Sequence, residues 1–166
     1  MSNSVLNCIV SGLPGEINTN PKIYRIYPDK LKVAKDKILE KSMPIGCRPG
    51  EFFEDSLDHK KILIYVFEIE RENERNSVAS IGFTVDKHTI ITDLKEIVME
   101  LIKRMKETGI LSFEILEHYL DKITVGLQKE SKIKIGNMIF DVGYFISSKK
   151  MKLQKENRRI VKGGLI

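Results

Sequence analysis

Three histidines, two cysteines and one densely charged connector are the places where this chain could do chemistry. His59, His88 and His118 lie far apart, and none has the neighbours of a Ser–His–Asp or Cys–His arrangement. No HExxH, DxD or paired-carboxylate pattern occurs. Cys8 and Cys47 lack CxxC spacing and histidine companions, so neither zinc nor redox chemistry is signalled. The turn Gly12-Leu13-Pro14-Gly15 has no Lys-Ser/Thr to hold a phosphate or magnesium. No cofactor and no metal is expected. What remains is the connector Arg71-Glu72-Asn73-Glu74-Arg75-Asn76, a polar tip between two apolar runs. Many such tips are only solvated turns, but loops on rigid scaffolds also carry function. An arginine there could reach an anionic site on a partner. An arginine finger works in this way, stabilising the charge that builds on a transferring phosphoryl group. Nucleotide, magnesium and water would belong to the GTPase, so the chain has no autonomous active site of its own.

The elements that must hold this tip are legible from periodicity. Residues 62–69 (ILIYVFEI) are apolar on both faces, as in a central strand. Residues 78–85 alternate, with Ala79, Ile81, Phe83 and Val85 on one face. Two helices follow. Leu94, Ile97, Val98, Leu101, Ile102 and Met105 form the stripe of the first, with Asp93 and Glu96 resembling a capping box and Gly109 a C-terminal cap. Ser112 is a natural N-cap for the second, whose apolar face is Leu116, Tyr119, Leu120, Ile123 and Leu127. Residues 62–128 thus read as a strand–strand–helix–helix unit.

Upstream, residues 5–11 alternate, with Val5, Asn7, Ile9 and Ser11 on one face and Leu6, Cys8 and Val10 on the other. KIYRIY at residues 22–27 is a second strand by its aromatic and β-branched content. Its aromatics, interleaved with Lys22 and Arg25, also have the look of an RNA platform, although packing of Tyr24 and Tyr27 explains them as well. A helix is expected near residues 30–41, stopped by Pro44, and a short edge strand at residues 51–57. Downstream, residues 132–135 and 138–146 read as strands around Gly136-Asn137.

Length and composition fit one domain with a small appendage: residues 1–130, a hairpin at 131–146 and a basic, flexible tail at 147–166. The tail has seven Lys or Arg against the single Glu156, more than the chain's whole net charge of +5, which leaves the body close to neutral. Such a tail could meet nucleic acid, an acidic partner or, through residues 149–162, an anionic membrane surface. The N-terminal residues lack the charged flank and apolar run of a signal peptide, and no stretch approaches a membrane span. A cytoplasmic protein is expected.

Four segments resemble the N-terminal longin domain of the nitrogen permease regulator-like and folliculin proteins. Leu6-Asn7-Cys8-Ile9 is similar to that family's apolar–x–Cys–Ile start. Asn20-Pro21-Lys22-Ile23-Tyr24 is similar to its Gly-Pro-Lys-Ile segment. Arg75-Asn76 followed by Gly82-Phe83 resembles its Arg-Asn…Gly-Phe pairing, and the two helices follow at the expected distance. The run from Asn76 to Phe83 is one residue shorter than in the family, which could shift Arg75. The resemblance implies an α+β, longin-like (profilin-like) fold. Its mixed sheet would have about five strands, with one helix on one face and two on the other, plus the C-terminal hairpin. It implies a regulatory or scaffold module that binds a Ras-like small GTPase, or another longin or roadblock-type chain, including a second copy of itself. Arg75 would be the finger, Arg71 the fallback and Asn76 a positioning neighbour. Two alternatives stand beside it. One is a longin assembly or trafficking adaptor without GTPase activation. The other, ranked lower, is a nucleic-acid-binding module using the basic tail and Arg25.

Overall fold

The computed structural model describes residues 5–15, 19–72, 74–89 and 91–163, with side chains as far as Arg158. Five strands form the main sheet: β1 (Val5–Leu13), β2 (Lys22–Tyr27), β3 (Phe52–Leu57), β4 (Lys60–Ile69) and β5 (Ser77–Val85). Their spatial order is β2-β1-β5-β4-β3. Every neighbouring pair is antiparallel, which corrects the expected mixed sheet. The cause lies in the connections. Three of the four pairs are successive strands joined by turns, which can only be antiparallel, and the long crossover from β2 to β3 returns β5 opposed to β1.

Period-two alternation sends the strands' side chains into two cores. On one face, Cys8, Val10, Leu63, Phe67, Ile69, Ala79, Ile81, Phe83 and Val85 pack with two long helices. These are α2 (Thr92–Glu107) and α3 (Phe113–Lys129). On the other face, Ile9, Ile26, Leu57, Ile62, Ile64 and Val66 pack around Ile38 of the single helix α1 (Lys35–Ser42). Burial of each large apolar side chain contributes roughly 1.5–3 kcal/mol, so the two cores together dominate the fold's stability. Beneath α1 the sheet also carries polar groups, all partnered within the fold except the Ser80 hydroxyl. Thr84 Oγ1 donates to Asn7 Oδ1 at 2.8 Å, Asn7 Nδ2 donates to the Pro28 carbonyl at 2.8 Å, and the Ser11 and Ser42 hydroxyls bond at 2.8 Å.

Several local expectations shift. A register irregularity between Val5 and Asn7 moves Val5 into the Cys8 core and leaves Leu6 40% exposed, so the expected alternation starts only at Asn7. Helix α1 begins at Lys35 rather than near residue 30; Leu31 and Val33 precede it in irregular chain but still cover the same core. The stripe of α2 is buried in full, but its capping box does not form, because the N-cap position falls on Ile91. Its other end closes as expected around Gly109, at φ +72. There the Gly109 N–H bonds the Lys106 carbonyl and the Ile110 N–H that of Met105. Ser112 caps α3, its Oγ accepting from Ile115 N–H at 3.1 Å.

The C-terminal part differs most. Strands β6 (Lys132–Ile135) and β7 (Met138–Asp141) form a separate two-stranded sheet turned by Gly136 at φ +59. The hairpin does not extend the main sheet. It seals the outer side of the helical layer by burying Ile133, Ile135, Met138 and Phe140 in the larger core. The second strand stops at Asp141 instead of residue 146. Helix α4 (Val142–Gly163) follows, where the sequence suggests the end of a strand and then a tail. Asp141 caps it, its Oδ1 accepting from Tyr144 N–H at 3.0 Å. Phe145 and Lys149 hold its start to the body, against Phe140 and Glu96. No described helix is long and apolar enough to cross a membrane.

Candidate functional site

The β4–β5 register runs unbroken to the Ile69–Ser77 pair, and the described residues between 70 and 76 lie beyond it. The tip is therefore carried on the central strand β5 and its neighbour β4, both largely buried, which give it a stiff base. Within it, each sequence-predicted residue has a different role. Asn76 is a staple: its Oδ1 accepts from Arg71 N–H at 3.3 Å, and its Nδ2 donates to Glu68 Oε1 at 2.9 Å. The Arg71 guanidinium is partly buried and ion-paired with Glu74 three residues on. Arg75 is exposed, and among the described residues its side chain has no ion-pair or hydrogen-bond partner. The structure thus brings Arg71 and Asn76 together and leaves the Arg75 side chain outside their network.

Gly15 belongs to no catalytic motif, yet it shapes the tip. A Cβ at this position would overlap the carbonyl of Arg75 and lie 3.2 Å from Arg71 Nη1. Gly15 N–H also donates to Ser77 Oγ at 3.2 Å. Gly12 and Leu13 belong to β1, so the expected turn is confined to Pro14-Gly15, and Gly15 is a buttress that fixes the main chain of Arg75 from the side. The signal available in sequence is a glycine directly after Pro14, where close backbone approach is a standard use of that residue.

Beside the tip lies a cleft of about 400 Å³ between β2 and the start of α3, reached by Lys22, Tyr24, Arg71, Ser77, Phe113 and Glu114. Its floor is set by Tyr24 stacked on Phe113, ring centroids 4.1 Å apart. Arg25 reaches the second turn of α3, donating to the Glu117 carbonyl at 2.6 Å, with Asp121 3.9 Å away. The KIYRIY strand thus commits Tyr24 and Arg25 to α3. His118 stands edge-on to Tyr119 on the exposed side of α3, and His59 occupies a left-handed turn at φ +65. His88 lies in the β5–α2 connection. Burial pushes the Cys8 thiol far above its ordinary range, and raises that of Cys47 less. Among the described residues no group of three His, Cys, Asp or Glu side chains is placed to hold a metal ion.

No protein-family model matches the chain, and no curated protein matches it either.

Proposed function

We propose that this chain is a longin-type regulatory module that binds a Ras-like small GTPase and presents Arg75 to the transferring phosphoryl group. The observation that carries this reading is the division of labour at the tip. Arg71 and Asn76 are consumed in holding the loop, and Gly15 pins its main chain, while the Arg75 side chain is left free of them. A finger needs a rigid base and an uncommitted guanidinium, because its worth comes from pre-set electrostatic placement. Five strands with one helix against two also fit what the resemblance implies, while the wholly antiparallel pairing departs from it. Arg71, the fallback, would first have to leave Glu74.

A second reading is an assembly adaptor that pairs with another longin or roadblock-type chain, or with its own copy, without activating a GTPase. It draws on the sheet's two outer strands, β2 and β3, each of which has a strand on one side only. The basic helix α4 suits an anionic membrane surface in either reading, with nucleic acid as the lesser alternative.

The two readings separate in a complex-formation experiment. Ras-like GTPases are loaded with GDP and aluminium fluoride, which mimics the transition state, or with a non-hydrolysable GTP analogue. The first reading expects Arg75→Ala to lose the aluminium fluoride complex with one GTPase while keeping the GTP-analogue complex. Equal stability of both complexes with wild type and variant would remove the finger and leave the adaptor.

A further inference from the structure

The outer edge of β4 is covered only along part of its length. β3 pairs with it from Lys60 to Tyr65, and Gly50 and Glu51 continue the cover at Val66. There the Val66 N–H donates to the Glu51 carbonyl at 2.9 Å, and the Val66 carbonyl accepts from Gly50 N–H at 2.7 Å. These two bonds fix which way the backbone faces. The β4–β5 register has no irregularity from Lys61 to Ile69, so two residues further on the Glu68 N–H and carbonyl must face the same, outer side. The chain has turned away by then, and among the described residues no main-chain group meets Glu68 on that side.

A trough runs beside this open stretch. One cleft of about 750 Å³ begins at Pro49 and Gly50 and passes Glu68. A second, of about 300 Å³, continues past Glu70 to Glu72, and the two share Glu68, Lys106 and Leu111. The deeper wall is apolar: Tyr65 and Phe67 from β4, Met99 and Ile102 from α2, Leu111 and Phe145. Met99 is 49% exposed although it stands next to a core stripe. The rim charges largely cancel, through Lys106 with Glu70, Lys149 with Glu96 and Arg104 with Glu100. Lys103 has no ion-pair partner among the described residues.

We propose that this trough is a docking site for an extended peptide segment of a partner chain, added as a strand to the free edge of β4 at Glu68. Its alternate side chains divide between solvent and the trough, where one large aliphatic or aromatic residue sits against Phe67 and Ile102. An unpaired N–H and carbonyl side by side select an extended main chain, because a helix has no groups left to offer them. The apolar wall supplies the affinity and the size of the anchor. An acidic residue beside the anchor meets Lys103. The site abuts the Arg71–Asn76 network through Glu68, whose carboxylate already holds Asn76. It does not depend on whether the tip acts on a GTPase.

The test starts from a displayed library of random ten-residue peptides selected on the full chain. The tightest synthetic peptide is then measured by fluorescence polarisation. Three results are expected. Methylating the peptide's amide nitrogens one at a time weakens binding at a single position, the amide that donates to the Glu68 carbonyl, by about tenfold, the scale of one lost hydrogen bond. Met99→Arg and Glu68→Pro, which removes the outward N–H, each weaken binding at least as much while the fold's circular dichroism is kept. The Glu68 amide, read by ¹⁵N NMR, becomes protected from hydrogen exchange on binding. Failure to select any peptide sensitive to Met99→Arg overturns the proposal. So does a methylation scan in which a run of consecutive amides is sensitive, which would indicate a helical occupant, or in which none is, and so does an unprotected Glu68 amide.

Discussion

Gly126 on α3 offers the sharpest test of how the C-terminal hairpin is held. It is buried, and a Cβ there would overlap Cγ1 of Ile133 and lie 3.1 Å from its Cδ1. Two effects of Gly126→Ala oppose each other. Alanine is better than glycine inside a helix by about 0.8–1.0 kcal/mol. Forcing a methyl into a packed contact costs roughly 1–3 kcal/mol. Ile133 is fully buried in the larger core and Cγ1 is close to its branch point, so it cannot swing aside cheaply. Strain should therefore win, with a net loss of about 1 kcal/mol set by the difference of those two terms. Ile133→Ala alone should cost about 2–5 kcal/mol through the cavity it leaves. Combined, the two changes should cost less than their sum, by about 1–2 kcal/mol, because the new methyl fills part of that cavity. Urea unfolding of the four proteins measures the cycle. Gly126→Ala that stabilises by the full helix-propensity gain, with an additive double variant, would refute the close seating of β6 on α3.

Three further outcomes follow from the buried polar groups and the titrating side chains. Asn7→Ala strands the Thr84 hydroxyl and the Pro28 carbonyl in a buried site, and should lower unfolding stability in urea by about 1–3 kcal/mol. Native protein treated with a thiol reagent at pH 8 should lose Cys47 first and Cys8 only on unfolding, since burial shields Cys8 and holds its proton; equal rates would contradict the placement of β1. The Asp55 carboxyl is held below its ordinary value of 3.8, first by the hydrogen bond from Lys41 and then by the Ser56 N–H. The stability this adds is therefore present above that value and fades as pH falls through the lower folded one. Asp55→Asn should remove this acid-side slope and cost at most about 1 kcal/mol at pH 7, as Asp55 is exposed and Lys41 only partly buried.

The main sheet and its helices could be read from the chain because burial imposes a period on the sequence. Leu94 to Met105 repeat at helical spacing since one face of α2 meets the sheet, and Ala79 to Val85 alternate since one face of β5 does. What failed to show was local. Leu31 and Val33 cover the core without being helical, so apolar spacing alone placed the start of α1 too early. The irregularity at Val5 is a backbone choice that no side chain announces. Helix α4 escaped because its basic composition reads as a solvated tail, although Asp141 before Tyr144 is a capping signal, and residues 144–162 contain no Gly or Pro. At the tip, the sequence marked Arg75, Arg71 and Asn76 as a group. Only the fold separates them, because the bonds of Asn76 and Arg71 and the approach of Gly15 join residues across a turn and between hairpins.

The measurement closest to the central proposal is single-turnover GTP hydrolysis by a Ras-like GTPase that binds this chain. Wild type, Arg75→Ala, Arg71→Ala and Gly15→Ala would be compared at saturating protein. An arginine supplied in trans is worth about 10³–10⁵ in rate. Arg75→Ala should therefore abolish nearly all stimulation. Gly15→Ala, which displaces the Arg75 main chain without touching its side chain, should lose much of it. Arg71→Ala should do less harm. Rates that are the same for wild type and Arg75→Ala, at equal occupancy of the complex, would contradict the account.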